Sequence, residues 1–296
     1  MLQVKNIVEN KDLVIEGLNK RNLDGASLVN EVIELDIKRR ESIAKVEVLR
    51  AEQNAFSKEI GGLFKSGKIE EANAAKVKVQ AIKIEQVTIE SDLQKIEGEF
   101  TDLLYRIPNV PHLTVPKGST EEDNEHVFKE GLMPGLPENA KPHWEIIKEK
   151  DIIDFETGVK IAGAGFPVYK GKGARLQRAL INFFLDEADS AGYSEVIPPL
   201  LINEASGIAT GQLPDKEGQM YHSTIDDLYL IPTAEVPITN IYRDVILQED
   251  ELPKKHTGYT PCFRREAGSY GSDVRGLNRL HQFDKVEIVQ VVHPDN

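Results

Sequence analysis

The chain has 296 residues, and its 36 lysines and arginines against 49 aspartates and glutamates leave a formal net charge of -13 at pH 7. Because this charge repels nucleic acid on average, any contact with RNA must be made by a local basic surface. The single cysteine, Cys262, excludes an internal disulfide and a multi-cysteine zinc site, and since no apolar run approaches the roughly 18 residues that span a membrane, the expected location is the cytoplasm.

The first third of the chain has the pattern of a helical hairpin. A short amphipathic helix is predicted over Asn10 to Lys20, and after it mostly apolar residues recur at alternating spacings of four and three in two long stretches. This alternation is the heptad pattern of a coiled coil. The first seam consists of Leu28, Val32, Leu35, Arg39, Ser42, Val46, Leu49, Gln53, Phe56, Ile60 and Leu63, and the second of Ala75, Val79, Ile82, Gln86, Ile89, Leu93, Ile96, Phe100 and Leu103.

A turn between the two seams brings them together. Ser66-Gly67-Lys68 interrupts the helical pattern, so the two helices are predicted to fold back on each other at this point. One antiparallel register then pairs the whole length of the seams, for example Phe56 with Val79 and Val32 with Leu103. At about 1.5 Å per residue, the paired helices form an arm roughly 54 Å long.

The charge of this arm changes along its length. Six lysines and three acidic residues lie between Lys58 and Lys83, around the turn, whereas acidic residues predominate between Ile84 and Leu104. A basic tip is suited to binding a nucleic-acid backbone by charge and shape. A coiled coil that only joins protein subunits is the alternative that the pattern leaves open.

The remainder of the chain is divided by proline and glycine. A linker with several prolines and an acidic stretch follows the arm, and after it helical and strand patterns predict a mixed α+β domain. A helix is predicted over Ala174 to Ala191 and a proline-bearing strand over Gly192 to Leu201. The predicted organisation is an N-terminal domain at 1–110 with the arm at about 28–104, a linker at 111–143, and an α+β domain at 144–296.

Charged and aromatic residues recur at every second position near the end of the chain. Since alternate residues of a strand share one face, one face is predicted to carry the odd positions and the other to form the core. Thr233 with Glu235, and Arg264 with Glu266, are likewise two residues apart. The site face comprises Arg279, His281, Phe283 and Glu287, and the core face Leu280, Val286 and Ile288.

This set of side chains is suited to a nucleoside triphosphate. Guanidinium groups pair with phosphate oxygens, an aromatic ring stacks on a base, and carboxylates accept hydrogen bonds from amino groups. A solvated, salt-bridged sheet face is the alternative interpretation of the same residues.

Several segments resemble one family. The string Phe263-Arg264-Arg265-Glu266-Ala267-Gly268-Ser269-Tyr270-Gly271 with His281-Gln282-Phe283 closely resembles motif 2 of class II aminoacyl-tRNA synthetases, in the form of the bacterial seryl-tRNA synthetases. Thr233-Ala234-Glu235 is similar to the serine-binding motif of these enzymes, and Gly211-Gln212-Leu213-Pro214 to the segment before it. The predicted helix and proline-bearing strand resemble motif 1, which implies a homodimer.

The resemblance implies a fold, substrates and residue roles. It implies a long antiparallel coiled-coil hairpin that binds serine tRNA, followed by an antiparallel-sheet catalytic domain that takes L-serine and ATP. Mg²⁺ is implied to neutralise pyrophosphate, and none of the 296 residues is assigned as a metal ligand. Which of Glu235 and Glu287 binds the serine hydroxyl stays open. The implied sites are Arg264 as the catalytic residue; Arg264, Arg265, Glu266, Arg279, Leu280 (through its backbone) and Phe283 for ATP; Thr233, Ala234, Glu235 and Glu287 for serine; and Lys65, Lys68, Lys76 and Lys78 for tRNA.

The resemblance ends early. After Asn296 the family continues with the rest of the sheet, a magnesium-binding segment and motif 3, none of which the 296 residues contain. A C-terminally incomplete catalytic domain with impaired activity is therefore expected. The implied activity is that of a serine-tRNA ligase, and the resemblance is also compatible with the charging of selenocysteine tRNA. The alternatives are a noncatalytic coiled-coil protein that binds tRNA or dimerises, and a related ligase that charges a carrier protein.

Overall fold

A computed structural model describes residues 2–266 and 275–295. The chain divides into two compact units, Met1–Leu132 and Met133–Asn296, with the boundary inside the predicted linker. No helix among the described residues is both long and apolar enough to cross a membrane.

The first unit is a helical hairpin with two short helices at its base. The elements are α1 (Val4–Glu9), α2 (Lys11–Lys20), α3 (Gly25–Lys65) and α4 (Ile69–Arg106). The Asp24 side chain caps α3 by accepting a hydrogen bond from the Ser27 N–H at 3.1 Å. Gly67 has a φ of 73°, which glycine adopts without strain, and it reverses the chain between α3 and α4. The predicted helix at 10–20 and the predicted turn are confirmed, whereas α1 was not predicted.

The heptad pattern identifies the buried seam of the hairpin correctly. Every seam position in both helices is buried or half-buried, while Val48 and Val87, which lie off the seam, are more than half exposed. The predicted register pairs Phe56 with Val79. In the structure the ammonium group of Lys78, the residue before Val79, lies 5.6 Å from the centre of the Phe56 ring. The antiparallel coiled-coil arm is therefore confirmed.

The hydrophobic core of this unit lies at the base of the arm. Side chains from α1 and α2 pack there against the first turns of α3 and the last turns of α4. The fully buried side chains of this cluster are Ile7, Val14, Leu18, Val29, Val32 and Leu103.

The second unit contains helices on short sheets and one long strand pair, so the predicted combination of a hairpin with a largely antiparallel α+β domain is confirmed. Its helices are α5 (His143–Lys150), α6 (Phe155–Ala162), α7 (Lys172–Ser190), α8 (Glu204–Ala209) and α9 (Glu235–Thr239). Its strands are β1 (Ile153–Asp154), β2 (Val168–Tyr169), β3 (Ser194–Glu195), β4 (Leu201–Ile202), β5 (His222–Ser223), β6 (Leu228–Leu230), β7 (Lys254–Phe263) and β8 (Gln282–Val291).

The long strand pair forms the centre of this unit. β7 and β8 run antiparallel in full register from Lys254 opposite Val291 to Phe263 opposite Gln282, and β3 adds in parallel to the other edge of β7. A second sheet has the order β4-β6-β5. The backbone N–H of Phe263 donates to the carbonyl of Ile231 at 2.9 Å, which ties the end of β7 to the segment that follows β6.

Several strand predictions are wrong, although the helix predicted at 174–191 is confirmed by α7. The segment from Gly192 to Leu201 contains only the two residues of β3 and the start of β4, because Pro198 and Pro199 have no N–H to donate to a sheet. Thr233 and Glu235 do not share a strand face, since β6 ends at Leu230 and Glu235 begins α9.

The predicted face assignment around β8 also needs correction. Arg279, Leu280 and His281 precede the strand, which begins at Gln282. The even positions of β8 do not form a uniform core, because Ile288 is 55% exposed and Asp284 accepts a hydrogen bond from the Tyr259 hydroxyl at 2.7 Å. A sheet with one face only partly covered by helices leaves such positions accessible.

Candidate active site

A polar cluster forms where the segment after β6 meets β8. The Thr233 hydroxyl donates to one oxygen of the Glu287 carboxylate, and the Lys285 ammonium lies 3.0 Å from the other oxygen and 3.0 Å from Thr233 Oγ1. The backbone N–H of Glu235 is 3.3 Å from both Thr233 Oγ1 and Glu287 Oε2. Glu287 is thus surrounded by donors, one of them charged.

Strand alternation and a tight turn place these groups. Phe283, Lys285 and Glu287 are alternate residues of β8 and share one face of the β7–β8 pair. Thr233 and Ala234 are buried in the turn that leads into α9, while the Glu235 side chain is exposed at the first position of this helix. A carboxylate that faces several donors is suited to replacing one of them with the ammonium group of a ligand.

Lys285 was missed by the sequence reasoning. Its position two residues from both Phe283 and Glu287 was a usable signal, because alternate strand residues share a face. Its contact with Thr233 joins residues 52 apart in the chain and could not be read from spacing.

An arginine and an aromatic ring lie together at the other end of this face. The Arg264 guanidinium is 5.1 Å from the centre of the Phe283 ring, and its Nε donates to the Pro232 carbonyl at 3.4 Å. The backbone N–H of Arg264 donates to the His281 carbonyl at 2.9 Å. Arg264 is therefore held between the ring on β8 and the turn that carries Thr233.

Glu266 and Arg279 form an ion pair across the loop between β7 and β8. Their closest atoms are 3.3 Å apart, and the side chains are 12% and 57% exposed, respectively. Glu266 has a φ of 49°, an unusual backbone conformation for a non-glycine residue. Leu280 is buried, and Arg265 is exposed with its backbone N–H bonded to the Gln219 carbonyl at 2.8 Å. The part of motif 2 at 267–271 lies outside the described residues.

His281 has a packing role in the structure. Its ring stacks on Phe166 with centroids 5.2 Å apart, its Nδ1 lies 2.6 Å from the Tyr221 hydroxyl, and its backbone N–H donates to the Gly165 carbonyl at 2.9 Å. A side chain on Gly165 would collide with the His281 ring, which explains the glycine. These contacts fix the chain immediately before Phe283.

A second polar group lies on the opposite face of the strand pair. Asp284 accepts hydrogen bonds from the Tyr259 hydroxyl and from the Gln177 side chain of α7. Burial and the hydrogen bond to Asp284 raise the pKa of Tyr259 to about 12. The sequence reasoning did not single out these residues, which connect α7 to the strand that carries Phe283 and Lys285.

Cys262 belongs to the core. Its side chain is fully buried, and this burial raises the pKa of its thiol. Residues 2–266 and 275–295 contain no group of three or more histidine, cysteine, aspartate or glutamate side chains placed to hold a metal ion.

The four lysines predicted at the tip of the arm are all exposed. The Lys76 ammonium lies 4.5 Å from the Phe64 ring, and Lys68 forms an exposed ion pair with Glu71 at 3.0 Å. Such contacts hold flexible side chains only weakly, so these ammonium groups stay accessible to a polyanion.

Two family models and several relatives match the chain. The models described as the seryl-tRNA synthetase N-terminal domain and the tRNA synthetase class II core domain (G, H, P, S and T) match residues 1–111 and 220–296. The serine-tRNA ligase of Salinibacter ruber is 47% identical over 295 residues, and that of Trichlorobacter lovleyi is 46% identical over 296 residues. Each alignment covers 100% of this chain and 69% of the relative.

Solved structures agree with these relatives. A crystal structure of seryl-tRNA synthetase from Pyrococcus horikoshii complexed with ATP superimposes with a TM-score of 0.81 at 31% identity, covering 97% of this chain and 69% of that one. A cytoplasmic serine-tRNA ligase from Naegleria fowleri in complex with AMP gives a TM-score of 0.79 at 28% identity, covering 100% of this chain and 68% of that one. With 47% identity to a relative of which it covers more than two thirds, the chain belongs to the seryl-tRNA synthetase family.

Proposed function

We propose that the chain carries the substrate-binding surfaces of a serine-tRNA ligase, which activates L-serine with ATP to seryl-adenylate and transfers the seryl group to serine tRNA. The observation that carries this proposal is one strand face that presents Phe283, Lys285 and Glu287 in sequence, with Thr233 and Arg264 packed against it. The proposed organisation is a tRNA-binding domain at 1–110, a linker at 111–143 and a partial catalytic domain at 144–296.

The serine end of the proposed site is the cluster around Glu287. Its carboxylate, together with the Thr233 hydroxyl, is suited to binding the α-ammonium group of serine. The exposed Glu235 carboxylate at the start of α9 is then available for the serine hydroxyl, with Ala234 lining the turn between them. A site that hydrogen-bonds a hydroxyl discriminates strongly against an analogue without it, because its polar groups are left unpaired. Alanine is therefore expected to bind poorly.

The nucleotide end is the group around Phe283. The ring is placed to stack on adenine, Arg264 to hold the α-phosphate, and Glu266 to accept from the adenine amino group. Arg265, Arg279 and the backbone of Leu280 complete the proposed ATP site. Because Arg279 is already paired with Glu266, ATP binding requires this ion pair to be rearranged.

The proposed reaction is an in-line displacement at phosphorus. An oxygen of the serine carboxylate forms a bond to the α-phosphorus, while the bond from this phosphorus to the oxygen of pyrophosphate breaks and the electron pair leaves with pyrophosphate. A terminal hydroxyl of the tRNA then forms an ester with the seryl group, and AMP departs. Positioning and charge stabilisation account for most of such catalysis. In this proposal Mg²⁺ accompanies ATP and neutralises pyrophosphate.

The arm is the proposed contact for serine tRNA, through the lysines at 65, 68, 76 and 78. Their exposure around the turn supports a local basic surface on an acidic chain. Because tRNA charging serves translation, the proposal places the protein in the cytoplasm.

A homodimer is also proposed, and α7 supports it. Leu176, Leu180, Phe183 and Phe184 follow the spacing of one helix face and are each about half exposed. Large apolar side chains grouped on one exposed face are typical of a protein interface.

Binding measurements separate the proposal from its alternative. In calorimetric titrations, the chain should bind ATP more tightly than GTP, and serine more tightly than alanine. A noncatalytic coiled-coil protein predicts tRNA binding or dimerisation with no response to either small molecule, and that result would overturn the proposal.

A further inference from the structure

Lys285 occupies the position that the proposed function gives to the ammonium group of serine. Its Nζ is 3.0 Å from Thr233 Oγ1 and 3.0 Å from Glu287 Oε1. These are the two groups proposed to bind the substrate ammonium. In the free protein, the pocket proposed for the serine ammonium therefore already holds the ammonium group of Lys285.

Two ammonium groups cannot share this pocket without a change. Both ammonium groups are positively charged, whereas Glu287 offers a single carboxylate that also accepts a hydrogen bond from the Thr233 hydroxyl. The Lys285 and Glu287 side chains are only 34% and 16% exposed, respectively. Like charges repel each other more strongly in such partly buried surroundings than in water. When serine binds, either Lys285 leaves Glu287 or it gains an anionic partner.

The strand order shows which anion is within reach. Phe283, Lys285 and Glu287 are successive residues of one face, spaced at about 7 Å. In serine the carboxylate and the ammonium are attached to the same carbon, and in ATP the α-phosphate is attached to the nucleoside whose base is proposed to stack on Phe283. The stem of Lys285 therefore starts between the two substrates, where carboxylate and α-phosphate must meet.

The surroundings of Lys285 favour a short swing of its ammonium over a large movement. Its backbone pairs with Thr260 in the middle of the β7–β8 register, and the Thr260 side chain is buried. The strand is thus held in place, and only the flexible four-carbon stem can redirect the charge. A cation at this point would reduce the repulsion between the attacking carboxylate and the phosphate.

Resting on the proposed function, we propose that Lys285 is an exchangeable cation of the active site. In the free protein its ammonium occupies Thr233 and Glu287 in place of the serine ammonium, and on serine binding it turns to the serine carboxylate, which it holds beside the α-phosphate. Lys285 is then a catalytic residue of the adenylation step. It donates hydrogen bonds and keeps its proton throughout, so the bonds that form and break are those given for the reaction above.

Serinamide provides a direct test, because it keeps the ammonium and hydroxyl of serine and replaces the carboxylate with a neutral amide. Calorimetry on the whole chain should give the unaltered protein about a 10- to 100-fold preference for serine over serinamide, as expected for one charge-assisted hydrogen bond. Lys285→Met keeps an unbranched stem without charge and should reduce this preference by tenfold or more. Lys285→Arg should retain most of it. Differences between the two ligands in solution cancel, since all proteins are compared under the same conditions.

Lys254→Met is the matched control. Lys254 lies at the far end of the same strand pair, opposite Val291, and makes an ion pair with Glu251 at 3.5 Å. Its replacement should leave the preference for serine unchanged.

The possible outcomes are distinguishable. If the unaltered chain binds neither serine nor serinamide, the proposed function fails and the role of Lys285 fails with it. If it prefers serine and Lys285→Met keeps that preference, the proposed function stands and the exchange does not. A Lys285→Met variant that loses both ligands equally, while unfolding at the same temperature as the control, identifies Lys285 as a clamp for Glu287 and also overturns the exchange.

Discussion

Glu287→Gln is the change that tests the division of the site into two ends. The carboxylate accepts from the Thr233 hydroxyl, the Lys285 ammonium and the Glu235 N–H, and its side chain is only 16% exposed. An amide has nearly the same shape, but it carries no charge and presents an N–H group to neighbours that are themselves donors. The serine ammonium would therefore lose its only charged partner in this cluster.

The expected loss follows from general magnitudes. Removing one member of a hydrogen-bonded, largely desolvated charge pair costs about 2 to 5 kcal/mol, and the amide oxygen recovers a neutral hydrogen bond of about 0.5 to 1.5 kcal/mol. We expect serine binding to weaken by about 2 to 3 kcal/mol, a roughly 30- to 150-fold rise in Kd. ATP binding should change less than about threefold, because Glu287 lies four residues beyond Phe283 on the strand face, with Lys285 between them.

Separate titrations of serine and ATP by isothermal calorimetry measure both quantities. Phe283→Ala is the reciprocal control and should weaken ATP by about 1 to 3 kcal/mol, if its ring stacks on the base, while serine binding is retained. Exchanged results, with Glu287→Gln weakening ATP and Phe283→Ala weakening serine, would refute the arrangement of the two ends.

Three further predictions concern the helical unit. Cysteines that replace Ser42 and Leu93 should form a disulfide on oxidation, while cysteines that replace Ser42 and Ile82 should not. In the predicted register the Cα atoms of the second pair are separated by more than the roughly 7 Å that a disulfide can span. Equal crosslinking of both pairs on a nonreducing gel would contradict the register. Leu103→Ala should destabilise the unit by about 2 to 5 kcal/mol in urea denaturation followed by helical circular dichroism, because this side chain is fully buried at the base of the arm; a loss below about 1 kcal/mol would be inconsistent with a packed core there. Neutralising Lys65, Lys68, Lys76 and Lys78 together should weaken serine-tRNA binding and reduce its dependence on salt. If filter binding shows an unchanged dependence on salt, the tip of the arm is not part of the tRNA interface.

The arm is the part of the fold that the sequence determined most fully. Heptad spacing is a local property, because residues three and four apart lie on one helix face whatever surrounds them. The turn at Gly67 is equally local, since glycine adopts its φ of 73° without strain. The α-helix missed in this unit was α1, whose six residues are too few to show a helical period.

In the second unit, helix α7 was predicted well and the strands less well. Two prolines divide the strand predicted at 192–201, and the turn into α9 replaces the strand predicted to carry Thr233 and Glu235. Alternation identifies which residues share a face, but it does not say what covers each face. Ile288 is exposed and Asp284 is hydrogen-bonded because of how much of the sheet α7 covers, and that depends on residues over 100 positions away.

The sequence by itself determined which residues resemble those of a known site, and the tertiary structure decided how they meet. Glu287, Lys285 and Phe283 share a face through strand alternation, which spacing predicts. Thr233 reaches Glu287 only because the segment after β6 is bonded through Ile231 to the end of β7. Contacts between residues more than 50 positions apart depend on the packing of whole elements, so the contact of the Lys285 ammonium with Thr233 was decided by tertiary structure alone.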